Sequence, residues 1–334
     1  MFESEKIAAG QSPRFQDLKL RIWSFLRIWF FGFRICSPSH FLGIWFLVLG
    51  ICLFVCLFVS SSTSANDPAS VADQRIGFLR EKMERLRLRS ADSKQVRYSL
   101  HEKLALRWSN PVSGVVDGGV FIWTDGRRPV VIGKAFMRET GGPVETPSSW
   151  SEAIESVTSI PFVMQDDGRD VWKPANPGIR FHDLDENDGR PSDNPNARLT
   201  QMRGLARKVQ VIGNWGQPPT DWQLRTLTTP LFRYASEPDG ILDGAVFAYT
   251  QGGTNPEAIS LIEAVAADAK TKSHWRLAVT RLTSFGVRAS FNDNKIADFA
   301  HLKNPPMDAT FYGRTHPFPS YPFPEVKTST ETSK

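Results

Sequence analysis

The pattern of apolar and polar positions sets one long uncharged run near the start of the chain apart from everything that follows. Phe41 to Val59 is 19 residues without a charge, close to the ~20 that span a bilayer and longer than the ~7–15 of a signal-peptide core. Thr63 and Ala65 then supply the small side chains that signal peptidase accepts. Residues 41–65 are therefore predicted to be either a signal-peptide core or a single transmembrane anchor.

Residues 1–40 are predicted to be a basic, amphipathic cytoplasmic segment, because positive charge before an apolar run stays on the cytoplasmic side. Arg27 and Arg34 lie on nearly the same side of a helix over 21–36, which either rests at the lipid interface or forms a long signal n-region. Both alternatives place residue 66 onward outside the cytoplasmic membrane. The predicted location is the periplasm or cell envelope, free or anchored in the inner membrane.

Beyond this segment, helical and strand periodicities alternate. Two apolar sets recur at helical spacing: Ile76, Leu79, Met83 and Leu86, then Leu199, Met202, Ala206 and Val209. Val120 to Thr124 and Val130 to Met137 flank Asp125-Gly126, which is typical of a β-hairpin. On the first of these strands Phe121 and Trp123 face one way and Val120 and Ile122 the other, so both faces are apolar.

The strongest pattern in the chain is an internal duplication. Residues 117–126 read DGGVFIWTDG and residues 243–252 read DGAVFAYTQG, with six identities in ten positions. Residues 150–160 and 275–285 match at nearly the same offset. Three further landmark pairs fit that offset to within a few residues: Pro111 with Pro230, the turn at Asp167-Gly168 with Asp293-Asn294, and Met83 and Leu86 with Met202 and Leu205. Two fused copies of one small unit follow from this pattern.

The predicted fold class is α+β, with two tandem copies of a helix packed on a four- to five-stranded antiparallel sheet, after the N-terminal hydrophobic segment. The boundaries predicted are 70–172 for copy 1, 173–196 for a Pro/Asp/Asn-rich linker, 197–302 for copy 2 and 303–334 for a Pro-rich disordered tail. One sheet face is expected to cover its own helix and the other to pack against the sister copy. A cleft between the copies would then be a natural ligand site.

Composition and charge narrow the class of partner. The 334 residues are 41% hydrophobic and 22% charged, with 40 basic and 35 acidic residues and a net charge of +5. Much of that excess precedes residue 66, so the remainder is nearly balanced. This argues against nucleic-acid binding, which needs a concentrated basic face. All the cysteines (Cys36, Cys52 and Cys56) also precede residue 66, which excludes disulfides, thiolate metal sites and cysteine nucleophiles from the rest.

Several segments partly match known catalytic or metal-binding motifs, but each lacks a residue or a spacing that the motif requires. Gly133-Lys134 lacks the spacing of a phosphate loop, and His101-Glu102 has Ala105 where a zinc protease needs histidine. Asp183, Asp185 and Asn187 alternate like calcium ligands, but their loop departs from the calcium-binding pattern in its glycine and its last ligand, so a solvated turn is the alternative. His182 beside them is a candidate base. No catalytic, cofactor-binding or metal residue is assigned, and no cofactor is predicted.

The strings LRWSNP, GGVFIWTDGRRP, DGRDVWKP, RLTQMRGLAR and LDGAVFAYTQGGTNPEAISLIEA support a family resemblance. Over residues 75–299 the chain resembles a group of exported planctomycete proteins. The resemblance implies export and a bacterial source, and it implies no catalytic residue and no reaction.

Three functions remain open from the sequence. The first is a non-catalytic binding or scaffolding protein of the cell envelope, with an unknown envelope protein or ligand as partner and membrane contact through the N-terminal segment. This hypothesis is favoured because packing residues recur between the copies and acid–base motifs do not. The second is an extracytoplasmic hydrolase with carboxylates between the copies, around His182 and Asp183. The third is a tethered assembly subunit with residues 72–90 as a short coiled-coil arm.

Overall fold

The computed structural model describes residues 68–93, 95–139, 148–215, 220–267, 271–318 and 322–323. The predicted cytoplasmic and hydrophobic segments (1–65), with all the cysteines, lie outside the described residues. The chain from Asn66 onward forms one compact unit. Neither helix within the described stretches combines the length and apolar character that a bilayer crossing requires.

Two halves follow each other within this unit. The first half contains α1 (Pro68–Arg85), β1 (Arg87–Ser90), β2 (Arg97–Leu100), β3 (Leu106–Asn110), β4 (Val115–Thr124), β5 (Pro129–Arg138), β6 (Ser149–Ser156), β7 (Phe162–Asp166) and β8 (Arg169–Trp172). After β9 (His182–Asp183), the second half contains α2 (Pro195–Lys208), β10 (Val209–Trp215), β11 (Thr220–Gln223), β12 (Arg225–Thr226), β13 (Phe232–Ser236), β14 (Ile241–Thr250), β15 (Pro256–Val265), β16 (His274–Arg281), β17 (Gly286–Phe291) and β18 (Asn294–Phe299). The final strand is β19 (Phe311–Pro317).

The predicted α+β class is wrong. Within the described residues the protein is mostly β, with 50% strand and 16% helix, and its antiparallel strands form a nearly closed, barrel-like arrangement. The described part contains two α-helices, and strands outnumber the predicted four or five per copy. The strands that the prediction missed are short and polar, such as the four residues of β2 and the two of β12, so they show no period-two alternation to recognise.

The halves have the same order of strand pairings. β1 pairs with β2 and β7, as β10 pairs with β11 and β17. β4 pairs with β2, β3 and β5, as β14 pairs with β12, β13 and β15. β6 then follows beside β5, and β16 beside β15. The recurring segments of the sequence therefore occupy recurring positions in the sheet.

Pairing partners correct the alignment of the landmarks. A single turn of 3-10 helix begins at Pro111 in the first half and at Glu237 in the second, so Pro111 does not correspond to Pro230. Counting back from β1 and β10 places Met83 against Ala206, four residues beyond the predicted Met202. The β17–β18 turn is centred on Asn292 and Asp293, both with positive φ, one residue earlier than expected.

Each half also supplies an edge strand to the other. β9, from the segment after the first half, pairs with β16 through Asp183 opposite Arg276. β19, from the segment after the second half, pairs with β6, starting with Phe311 opposite Glu155. The predicted linker 173–196 therefore includes a strand of the second half's sheet and the start of α2.

The prediction of a wholly disordered tail over residues 303–334 is wrong for residues 311–317. Phe311 and Tyr312 of β19 are only 2% and 6% exposed, so the strand buries apolar area as well as completing the hydrogen bonds of β6. Dense prolines on either side concealed this strand. Proline is nonetheless tolerated at the end of an edge strand, where Pro317 lies.

Three apolar cores result. Phe121 and Trp123 lie in a first-half core with Leu79 of α1, and Phe247 and Tyr249 occupy the matching second-half core with α2. The opposite faces of the same strands form an inter-half core that joins the halves. Its central members come from both: Val120, Ile122, Ile132, Val246, Ala248, Ile259 and Leu261.

In each half, residues of one sheet face lie in a core with that half's helix, and residues of the opposite face lie in the inter-half core. The projecting coiled-coil arm predicted over residues 72–90 is wrong. Leu79 and Met83 have no exposed surface, because α1 packs on β4 and β5.

Candidate functional site: an arginine-lined cleft in the first half

A cavity of about 740 Å³ opens between β1 and β2. β1 pairs with β2 only at Leu88–Tyr98 and Arg89–Arg97, after which β2 pairs with β4 instead. Because β1 remains attached to β7, the two strands separate and leave the cavity between them. Its lining residues are Glu84, Leu86, Arg87, Leu88, Arg89, Arg97, Tyr98, Ser99, Leu100, Trp123 and Gln165. We refer to this cavity as the arginine cleft.

The floor of the arginine cleft is apolar and belongs to the first-half core. Leu88, Tyr98 and Trp123 are each less than 10% exposed. Burial raises the pKa of the Tyr98 phenol, so its hydroxyl group stays neutral at physiological pH. Gly133 makes room for the indole, because a Cβ there would lie 3.3 Å from the Trp123 ring and 3.0 Å from Ile154. The floor is therefore packed and preformed.

The rim carries three arginines on one face of the β1–β2 ladder. Arg87 and Arg89 alternate with the buried Leu88, so both side chains leave the sheet on the side away from the core. Arg97 lies directly opposite Arg89 in the register. Directly opposed residues of an antiparallel pair have Cβ atoms ~4.5–5.5 Å apart, and like charges there repel each other.

Neighbouring acids neutralise this rim only in part. Arg89 Nη2 is 4.0 Å from an Asp170 carboxylate oxygen. Glu84, the acidic residue of the lining, is 3.3 Å from Arg80 and so is already paired. Arg87 and Arg97 form no ion pair with any side chain in the described ranges. The arginine cleft thus combines an apolar floor with an excess of positive charge.

The second half has other side chains at these positions. The matching pairings of β10 with β17 put Gln210 and Ile212 at the positions of Arg87 and Arg89. Gln223 stands opposite Ile212, at the position of Arg97. Leu224 takes the place of Tyr98 and is 3% exposed. The strands separate at the same point in both halves, since Ser99 lies opposite Thr124 and Arg225 lies opposite Thr250.

Recurrent polar residues of the duplication serve the fold. Arg107 donates to both carboxylate oxygens of Asp117, at 3.1 and 2.8 Å, and Arg233 does the same to Asp243, at 2.9 and 2.6 Å. Each arginine also donates to a carbonyl near the start of its half's helix, that of Ala72 or Pro195. The recurring Asp-Gly therefore reflects a structural clamp that sequence analysis did not recognise.

Charged groups buried between the halves form ion pairs and hydrogen bonds with each other. Glu263 has no exposed surface and accepts hydrogen bonds from Arg128 Nη2 at 2.7 Å, the Tyr234 hydroxyl at 2.7 Å and Arg276 Nε at 2.6 Å. Arg128 belongs to the first half and the other three to the second. This cluster therefore joins the halves and leaves no free carboxylate for chemistry.

Glu155 is a buried carboxyl group with a strongly raised pKa. Burial raises its pKa to about 8, and the nearby positive charge of Arg281 lowers it by a smaller amount. A raised carboxyl pKa between the copies is what the hydrolase hypothesis requires. Glu155 has no exposed surface, however, so a substrate has no route of contact with it in this structure.

The sequence-predicted site residues come together elsewhere. His182 Nε2 lies 3.1 Å from the Ile296 carbonyl oxygen, and Asp183 lies 3.3 Å from His274. Both belong to β9, at the edge of the second half, and so do not lie between the halves as the hydrolase hypothesis placed them. Asp183 and Asp185 border a cavity of about 440 Å³ lined only by residues 183–190 and 271–274.

The calcium hypothesis finds no support in this geometry. Asn187 falls in a short 3-10 turn over Glu186–Asp188, and the acids around it are paired with cations. Glu186 is 2.5 Å from Arg190, and Asp188 is 3.0 Å from Lys208. No group of three potential metal-ligating side chains occurs within the described ranges.

Sequence analysis missed the arginine cleft, although a signal was present. Residues 85–90 read RLRLRS, an alternation typical of a strand with one charged face. Leu86 also continues the helical spacing of Leu79 and Met83, so the segment was assigned to the helix. The structure ends α1 at Arg85 and begins β1 at Arg87.

Comparison with known proteins leaves the geometry as the guide to function. No family model, curated protein or solved structure matches the chain. The resemblance to exported planctomycete proteins therefore stays a prediction from the sequence.

Proposed function

We propose that this protein is a non-catalytic binding protein of the cell envelope, exported or membrane-anchored, and that the arginine cleft is its site for an anionic ligand. The cavity of about 740 Å³ falls within the ~300–1,000 Å³ of small-molecule sites, which combine an apolar lining with a few placed polar groups. The arginine cleft has this composition. Nucleic acid is not the proposed ligand, because the basic residues form a local cluster and the wider surface is nearly balanced in charge.

The difference between the halves carries the proposal. Both halves need the same pairings and the same arginine–aspartate clamp, and the second half folds with Gln210, Ile212 and Gln223 where the first has arginines. The fold therefore does not require Arg87, Arg89 or Arg97. Three like charges around a cavity cost stability, so their presence is better explained by a ligand that they bind.

A binding role also fits the lining residues. An acid–base or nucleophilic mechanism needs a nucleophile and base within hydrogen-bond reach. In the lining of the arginine cleft, Tyr98 is neutral and Glu84 is paired with Arg80. The buried carboxyl groups between the halves are remote from this lining. These features favour ligand capture over catalysis.

Thermal unfolding of the full chain with a panel of anionic and neutral small molecules tests the proposal. Anionic ligands should raise the Tm saturably, by roughly 5–10 °C at 100 times Kd. Replacing Arg87 and Arg97 together by glutamine should abolish the rise. Arg207→Gln, which removes one positive charge from an exposed turn of α2, should preserve it. An equal response from all three proteins would show that the arginine cleft is not the site.

A further inference from the structure

We infer that the group bound by the rim of the arginine cleft is a tetrahedral dianion, the phosphate group of a phosphate monoester, carried on an apolar body. This inference rests on the proposed function and narrows its ligand class. It is drawn from the register of the arginines and from the size and lining of the cavity.

The first step is the arrangement of charge. Arg89 and Arg97 face each other across the β1–β2 ladder, and Arg87 lies two residues along the same face. The repulsion between directly opposed cations is relieved most by a group that carries two negative charges. A single acidic group with one charge would leave most of the rim uncompensated.

The second step is the number of acceptor oxygens. Each guanidinium group presents paired N–H donors that match two oxygens of one anion. A carboxylate has two oxygens in one plane, and a single arginine can bind both of them in a bidentate pair. A phosphate or sulfate ester has three terminal oxygens, so it can accept from several arginines at once. Three arginines on one face therefore favour the tetrahedral group.

The third step is the apolar floor. A free inorganic anion would fill only a small part of about 740 Å³ and would leave the partly exposed Leu100, beside the buried floor, in contact with water. An apolar body attached to the anion would cover this side chain and gain roughly 25 cal/mol for each Å² removed from water. The ligand is therefore an amphiphilic ester, either a soluble molecule or the headgroup region of a lipid.

Calorimetric titration of the full chain compares probes that differ in one property each. The probes are 2-naphthyl phosphate, 2-naphthyl sulfate, 2-naphthoate, inorganic phosphate, and phosphatidylcholine vesicles with and without phosphatidic acid. 2-Naphthyl phosphate should bind at least ten-fold more tightly than 2-naphthyl sulfate, 2-naphthoate and inorganic phosphate, and equal binding of the singly charged sulfate would refute the dianion. Binding to 2-naphthyl phosphate but not to vesicles identifies a soluble source. Added binding to vesicles that contain phosphatidic acid identifies a lipid source.

Two variants connect the affinity to the rim. Arg97→Gln should weaken ester binding roughly ten- to hundred-fold, the usual effect of losing a charge-assisted hydrogen bond. Arg207→Gln should leave it unchanged, and circular dichroism will show that both variants are folded. If 2-naphthoate binds as tightly as 2-naphthyl phosphate and Arg97→Gln weakens both, the dianion is refuted and the anion-binding cleft survives. If no probe binds in a way that depends on Arg97, both proposals fail. If inorganic phosphate binds as tightly as 2-naphthyl phosphate, the apolar body is refuted.

Discussion

The first and second halves share their pairings and their clamps, yet they differ in the side chains at the point where two strands separate. The first half has three arginines and Tyr98 around the cavity between β1 and β2, and the second has Gln210, Ile212, Gln223 and Leu224 at the corresponding positions. Elements that recur in both halves, such as Asp117 and Asp243, are explained by packing and hydrogen bonding. Elements that differ between the halves are the better guide to function, because the second half adopts the same strand pairings without them.

A second difference lies next to the arginine cleft. Trp123 of the first half faces Gly133, which leaves space for the indole. Tyr249 stands at the matching position in the second half and hydrogen-bonds to Ser260 Oγ at 3.0 Å and to the Ala206 carbonyl at 3.2 Å. The two aromatic residues are therefore coupled to different partners. At this position the first half has the larger indole ring of Trp123, and the second half has a tyrosine hydroxyl in a buried hydrogen-bond network.

The largest expected effect comes from Glu155, whose counterpart across the halves is Thr280. The pKa of Glu155 is raised from an ordinary value near 4.5 to about 8, so the native state keeps a proton that the unfolded chain loses between those values. The free energy of unfolding should therefore fall as the pH rises from about 4.5 to about 8. The total fall is on the order of 4 kcal/mol, at about 1.4 kcal/mol for each pKa unit.

Glu155→Gln should remove this fall. Urea unfolding between pH 4 and pH 9 should find the variant similar to the parent at the acid end and more stable at the alkaline end. Glu81→Gln, on the exposed face of α1, provides a control that should follow the parent curve. Parallel curves for the parent and Glu155→Gln would mean that Glu155 ionises normally in the folded protein.

The next effect concerns Leu224, the buried second-half residue at the position of Tyr98. Leu224→Ala should lower the free energy of unfolding by about 2–4 kcal/mol, since a buried leucine is replaced by a cavity. Tyr98→Phe provides the counterpart in the first half and should cost less than ~1.5 kcal/mol, because the ring that packs on the core is kept. Urea unfolding followed by circular dichroism measures both. A cost below ~1 kcal/mol for Leu224→Ala would show that the second half is not tightly filled.

The smallest effect examines what the halves have in common. A Cβ at Gly118 would lie 2.6 Å from the Trp108 ring, and a Cβ at Gly244 would lie 2.6 Å from the Tyr234 ring. Alanine at either position should destabilise by about 1–3 kcal/mol through overpacking, by similar amounts in the two halves. Gly204→Ala in α2 meets no atom within 4 Å and should stabilise by about 0.5–1 kcal/mol. Clearly unequal costs at Gly118 and Gly244 would show that the halves no longer share this packing.

Local patterns of sequence predicted part of this fold. The helical spacing around Leu79 and Met202 and the apolar strands of the β4–β5 hairpin are strong local patterns, and the structure places them as expected. β9 and β19 depend on pairing with strands more than 90 residues away along the chain, so no local pattern marks them. The fold class was missed for this reason and because several strands are short.

The candidate site was harder to predict than the fold. Arg87 and Arg89 are two residues apart in the sequence, but Arg97 joins them only through the register of β1 with β2. The apolar floor comes from Trp123, on a strand that the sequence places much later. The arginine cleft is therefore a property of strand separation. His182 and Asp183 are adjacent in sequence, which made them conspicuous, and they lie at an edge without convergent catalytic groups.

The strand β19 affects the order in which this protein acquires its structure. The amino-terminal residues of a chain are synthesised first, so the edge of β6 stays unpaired until residues 311–317 have been made. The arginine cleft belongs to the same sheet as β6. A chain that lacks residues 311–317 therefore has an unpaired edge in its first sheet.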